Sequence, residues 1–376
     1  MRTLLCLTAL AATLTTAHAD DPRSPAVLAL TERTFAGGHE VALRRFDADG
    51  AVHDVQPGMP LGTYHLAAHA GTGRWLLSFH QLPDGDPLTI AGRPVSRPND
   101  RSTLVFGERD QIVATIDGDP ACTSKVKVCF ESPVRFSPDG AYVFVQSEGA
   151  SWASWGRWTF AARPARAAIA DKRTAVALAV DDVGKRAAYQ GKGGAVYVTA
   201  WPAPAAKARK LTAARRATVT LPMIMSAAVP VGDHLYWFRR DPADQAVGVY
   251  EAWSLTARKV VASQPAAASY PLQRGALVPV AARGSVVFVD DTAFERGTLW
   301  ELGPAGATAL AADVRQVLAV STDGRFVLAT RRKDPARGNE TANPERLVVI
   351  DTAAQRERVI DAGGDGIAIT AAAFVP

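Results

Sequence analysis

The sequence predicts an all-β fold made of one repeated four-stranded unit, and three observations lead there. A turn containing Gly, followed by an apolar-rich strand, recurs six times: GRWLLSF from Gly73, GAYVFVQ from Gly140, GKRAAYQ from Gly184, GDHLYWF from Gly232, GSVVFVD from Gly284 and GRFVLAT from Gly324. Further short segments rich in β-branched or aromatic residues follow the turns, such as VYEAWSL then KVVAS, TLWELGP then ATALAA, and RLVVIDT then RERVID. The unit runs to roughly 40 to 70 residues and no 3.6-residue apolar period is sustained, which argues against a helical solenoid. Four strands per unit at that length is the arithmetic of a β-propeller blade.

Residues 1–19, MRTLLCLTALAATLTTAHA, precede the first unit. Arg2, an apolar stretch from about Leu4 to Leu14 and the small-x-small end Ala17-His18-Ala19 make a cleaved export signal, too short to span a membrane. The mature chain, residues 20–376, is expected to be one domain, periplasmic or secreted, with no integral membrane segment once the signal is removed. Its first part supplies three strands, PAVLALTER, HEVALRRFD and AVHDVQ, without the strand and Gly turn that open the other units. The C-terminus supplies one leftover strand, IAITAAAFV. Joining that strand to the first three completes a blade and protects the sheet edges. Six repeats and this composite predict a seven-bladed propeller whose ring is closed by the C-terminal strand.

The two clearest turns, FSPDGAYVFVQ and VSTDGRFVLAT, place Asp-Gly between two strands, where Gly tolerates positive φ and Asp satisfies local backbone groups. These residues resemble the S-P-D-G turn of WD40-like propellers of the periplasmic TolB kind, a turn also found in propeller domains of prolyl-oligopeptidase-type enzymes. The resemblance spans nearly all of residues 24–376 and implies the fold. The Gly-His and Trp-Asp pairs of true WD40 repeats are absent, although Asp351 and Glu301 sit near the Trp-Asp position.

Composition excludes some functions. With 42 Lys+Arg against 37 Asp+Glu the net charge is +5, and no dense basic cluster marks a nucleic-acid surface. Cys122 and Cys129, an even pair left after export, are expected to form a local disulfide in an oxidising compartment. No G-x-S-x-G elbow, H-E-x-x-H or Gly-rich phosphate loop is present. His65, His69 and His80 share one blade, where H-x-x-x-H loses the meaning it has on a helix. Asp47-Ala48-Asp49-Gly50 and Asp84-Gly85-Asp86 lack the remaining ligands of a calcium loop and are better taken as hairpin turns.

Insertions cluster between second and third strands, at 81–101, 147–157, 239–246, 290–297 and 331–346. In propeller geometry these connections share one face with the blade-to-blade connections, and loops on a rigid frame commonly carry function. Trp152, Trp155 and Trp158 suit a sugar ring or a protein hot spot if exposed, and inter-blade packing if they alternate within a strand. Arg239-Arg240-Asp241 and Arg331-Arg332-Lys333 suit a carboxylate or phosphate, or else a solvated rim. Asp290 and Asp291 suit a cation with oxygen ligands from other blades, or a salt bridge. Two functions follow. The first is a non-catalytic recognition module for an envelope or extracellular protein or glycan. The second is a propeller enzyme, lactonase-like or acting on a sugar or ester, with its site at the central channel. No cofactor is predicted for the first, whereas the second would use either a divalent cation or an acid–base pair. The first is favoured.

Overall fold

The protein is described from a computed structural model. The structure describes residues 25–35, 38–59, 63–80, 88–90, 93–95, 102–107, 110–117, 130–131, 135–137, 140–149, 152–159, 166–169, 177–181, 185–190, 196–200, 209–211, 228–240, 248–266, 277–291, 297–332, 345–360 and 367–375. The export signal and the Cys122–Cys129 pair lie outside them.

The described residues form antiparallel sheets in the order of the repeats. The first sheet joins both ends of the chain: β1 (Ala26–Phe35), β2 (Gly38–Phe46) and β3 (Val52–Met59) are completed by β31 (Ile367–Val375), in the order β3-β2-β1-β31. Ala26 pairs with Val375 and Arg33 with Ile367, with a register shift at Leu30/Thr31. These boundaries fall within two residues of the strands expected from sequence, except that β3 runs three residues further, to Met59.

The second sheet holds β4 (Thr63–His69), β5 (Arg74–His80), β8 (Ser102–Phe106) and β9 (Ile112–Asp117), with a two-stranded ribbon, β6 (Leu88–Ile90) and β7 (Arg93–Val95), between β5 and β8. In the third, β10 (Phe130–Glu131) and β11 (Arg135–Phe136) both pair with β12 (Tyr142–Gly149), followed by β13 (Trp152–Thr159) and β14 (Arg166–Ile169). The fourth comprises β15 (Ala177–Asp181), β16 (Arg186–Gln190), β17 (Val196–Ala200) and β18 (Arg209–Leu211). The fifth comprises β19 (Val229–Val231), β20 (His234–Arg240), β21 (Gly248–Ser254) and β22 (Lys259–Pro265). The sixth comprises β23 (Val278–Val280), β24 (Ser285–Asp291), β25 (Gly297–Gly303) and β26 (Gly306–Val314). The seventh comprises β27 (Gln316–Val320), β28 (Phe326–Arg332), β29 (Glu345–Asp351) and β30 (Arg356–Ile360). All six Gly-turn segments become the second strand of a sheet.

Alternation along these strands places apolar side chains between neighbouring sheets. Val286 and Phe288 of β24 pack with Tyr236 and Tyr250 of the fifth sheet, while Val287 and Val289 pack with Val327 and Ala329 of the seventh. Phe326 and Leu328 in turn pack with Val27 and Ala29 of β1 and Ala372 and Phe374 of β31. The opposite face of the first sheet, with Leu28 and Leu30, meets Leu77 and Phe79 of β5. First strands of successive sheets also touch: β15 meets β19, β19 meets β23, β23 meets β27, β27 meets β31, and β31 meets β4.

The Ser-Pro-Asp-Gly and Ser-Thr-Asp-Gly turns are built alike. The Ser137 amide donates to the Tyr142 carbonyl, the Gly140 amide donates to the Ser137 carbonyl, and the Tyr142 amide donates to Ser137 Oγ. Ser321, Gly324 and Phe326 repeat all three bonds. Both glycines have positive φ, 67° and 78°. Asp47–Gly50 is a hairpin turn between β2 and β3, closed by the Gly50 amide on the Asp47 carbonyl.

One expected insertion is corrected. Residues 147–157 do not form a loop: β12 and β13 run through them and leave Ala150 and Ser151 as the connection. The run from Trp152 to Thr159 continues the ladder, pairing Gly149 with Trp152 and Tyr142 with Thr159. Pairing with β12 along the whole run holds it as a pleated strand.

Candidate functional site

Antiparallel order gives each sheet two unlike ends. Connections from first to second and from third to fourth strands leave at one end, the turn end. Connections from second to third strands, and on to the next sheet, leave at the other. At the turn end, connections such as 232–233, 255–258, 281–284, 304–305, 321–325 and 352–355 are tight, whereas 160–165 and 201–208 are longer. At the other end lie 81–101, 118–129, 212–228, 241–247, 266–277, 292–296 and 333–344, together with short connections at 36–37, 150–151 and Arg315.

The turn end is occupied by its own polar groups. Arg74 Nη1 donates to the Gly140 carbonyl of the third sheet at 3.1 Å. Arg186 donates to the Gly232 carbonyl of the fifth sheet, whose Gly232 amide returns a bond to Asp181 Oδ2 at 2.6 Å. The Tyr236 hydroxyl donates to the Gly284 carbonyl of the sixth sheet. Burial, then the nearby Glu301 charge, raises the pKa of that phenol and keeps it a donor. Arg283 pairs with Glu301 at 2.9 Å and lies against the position where Gly324 would carry a Cβ. Arg325 binds Asp351 through Nε at 3.0 Å and Nη2 at 2.7 Å, and this pairing holds the carboxyl below the usual carboxylate range. Burial pushes Asp233 upward, but bonds from Thr256 and Ser254 together with the Arg186 charge leave it lowered.

The residues singled out from sequence lie toward the opposite end. Arg239 and Arg240 close β20, opposite Val249 and Gly248. Asp290 and Asp291 close β24, opposite Thr298 and Gly297. Arg331 and Arg332 close β28, opposite Arg346 and Glu345. The structure therefore brings Arg240, Asp291 and Arg332 to the same place in three consecutive sheets, the last residue of the second strand. These residues belong to strands rather than to the insertions, because the ladder extends to the final pair. Asp241 and Lys333 lie outside the described residues. Trp152 borders the hairpin turn, whereas Trp155 is inside the sheet, between Gln146 of β12 and Ile169 of β14.

Asp290 is buried, and Arg331 forms an ion pair with Glu357 at 2.6 Å. Sequence reading does not single out two buried neighbours. Arg315 is the single residue between β26 and β27, and its amide donates to the Thr330 carbonyl at 2.8 Å. Thr330 is buried, and among the described residues its hydroxyl has no hydrogen-bond partner. Neither carries a sequence signal, because burial at a sheet junction depends on which strands become neighbours.

His65 and His69 both lie on β4, with His69 closing it rather than falling beyond it. Four strand residues separate them by about 13 Å along the backbone, which does not suit a shared metal. His69 Nδ1 is 3.0 Å from Thr72 Oγ1, and its ring faces Phe136 of the third sheet. Among the described residues no three His, Cys, Asp or Glu side chains are grouped for a metal. No described helix is long and apolar enough to cross a membrane.

No family model matches the chain, and no curated protein matches it. Solved structures do. A puromycin hydrolase S511A mutant complexed with PGG is 14% identical, with a TM-score of 0.56 over 90% of this chain and 52% of that one. This chain thus spans about half the length of the hydrolase. The uncharacterized protein lmo1340 from Listeria monocytogenes EGD-e is 11% identical, with a TM-score of 0.52 over 89% of this chain and 90% of that one. TolB from Acinetobacter baumannii is 10% identical, with a TM-score of 0.47 over 94% of this chain and 67% of that one. Such identities speak to fold alone, and the successive four-stranded sheets are those of a β-propeller.

Proposed function

We propose that the chain is an exported, non-catalytic recognition scaffold. It is a seven-bladed propeller whose ring is closed by β31 joining β1–β3, and Cys122 and Cys129 are bridged in the oxidising compartment. It binds a protein or glycan of the envelope or extracellular space through the end bearing the long connections. Trp152, Arg240, Asp291 and Arg332 are described residues at strand ends on that side.

The observation that carries this reading is the asymmetry of the two ends. Most connections at one end are tight and carry internal clasps, whereas the longest connections and the closing charges of β20, β24 and β28 lie at the other. A rigid frame with variable loops at one end suits recognition. The mixture of arginine and carboxylate suits a polar, orienting contact more than a uniform field.

Site-specific photo-crosslinking in the producing cell tests it. A photoreactive residue at Trp152, Arg240, Asp291 or Arg332 should give one discrete adduct, and one at Thr256, Ala305 or Gln355 should give none. Equal adducts from both ends would overturn the assignment. Metal analysis of the purified protein separates the classes: stoichiometric, tightly held Ca²⁺ or Zn²⁺ would favour the channel enzyme instead.

A further inference from the structure

The turn-end clasps share one plan. A side chain from one sheet donates to the carbonyl of the glycine in the next sheet's first turn, as Arg74 does to Gly140, Arg186 to Gly232 and Tyr236 to Gly284. The first sheet has no such turn. Its corresponding strands are β31, ending at Val375, and β1, starting at Ala26, so the chain is interrupted where the other sheets have a Gly.

Arg358, on the outer strand β30 of the seventh sheet, reaches across to this interrupted sheet. Its Nη1 donates to the Asp47 carbonyl at 2.8 Å and to the Ala48 carbonyl at 3.4 Å, and Nη2 donates to the Pro25 carbonyl at 3.4 Å. Pro25 immediately precedes β1, and Asp47 and Ala48 lie in the turn joining β2 to β3. Among the described residues no carboxylate pairs with Arg358. Burial pushes its pKa down, in keeping with a guanidinium held by carbonyl dipoles in a partly dry seam. Its planar fork can address several acceptors at once, which a lysine ammonium does less well.

We infer that Arg358 is the latch of the seam, tying the entry of β1 and the β2–β3 turn to the seventh sheet in place of the missing glycine clasp. The inference rests on the closed-ring reading, because a latch has work to do only where β31 and β1 complete one sheet.

Hydrogen exchange of the full exported chain, read by mass spectrometry, tests it. Arg358→Met keeps the apolar stem and removes the donors. It should speed exchange in β1, β31 and residues 47–51 by about tenfold or more, the scale of losing hydrogen bonds from a charged donor. Exchange in β20, β21, β24 and β25 should stay unchanged. Arg283→Met removes a guanidinium from the sixth sheet, whose core packs with the fifth and seventh sheets, and should leave β1 and β31 as protected as in the parent. The latch is overturned if Arg358→Met leaves β1 and β31 protected, or if both variants loosen every sheet alike; ring closure then stands. If β1 and β31 already exchange freely in the parent, closure fails, and the latch with it.

Discussion

Asp351 shows how one side chain can organise a turn. Besides accepting two hydrogen bonds from Arg325, it accepts the Ala353 and Ala354 amides at 3.1 and 3.0 Å. Arg325, as the largest influence, outweighs burial and lowers the carboxyl pKa on folding. A lowered folded value means that the stabilisation is fully present above the unfolded value, about pH 4, and is lost as pH falls through the folded one. Asp351→Asn should therefore lower stability at neutral pH by about 1–3 kcal/mol and flatten the loss in acid, read from denaturant melts across pH. The sequence places Asp351 at a conspicuous position in VVIDT but gives no hint of Arg325 as its partner. Their meeting depends on the β28–β29 register, which sets Phe326 opposite Asp351. Thr330 and Arg315 stay hidden for the same reason, since nothing local says that their surroundings will be dry.

At the scale of elements, the strands were legible where Gly turns punctuate them and less so where aromatic residues continue them. Asp-Gly with apolar flanks announces both a turn and the strands beside it, and the two Ser-x-Asp-Gly turns use the same three hydrogen bonds. The Trp152–Trp158 segment carries serine, alanine and glycine between its tryptophans, a mixture that suits a loop as well as a strand. Cross-strand pairing with β12 decides it. The Gly324 turn offers a direct test. Gly324 has φ of 78°, and a Cβ there would press on Val280 and Arg283 of the sixth sheet. Gly324→Ala should destabilise the protein by about 1–3 kcal/mol in chemical denaturation, whereas alanine at exposed Thr322 should cost little.

For the whole molecule, the complementary strand count at the two termini was the most informative feature of the sequence, and β31 lies beside β1 in the structure. Removing residues 367–376 should expose Leu28 and Leu30 at an open edge and lower the melting temperature sharply; unchanged melting would mean that the ends are not joined. The proposed recognition surface was less legible. Charges at the ends of β20, β24 and β28 come from three distant stretches, and only the stacking of sheets gives them equivalent places. The pairing of β1 with β31 also bears on how the protein is made. β2 follows β1 at once, but the other neighbour, β31, is synthesised more than 300 residues later. At ribosomal rates the apolar inner edge of β1 must wait on the order of tens of seconds for it. During that interval the edge is a template that β31 of a neighbouring nascent chain fits as well as its own, so crowded synthesis opens a route to strand exchange.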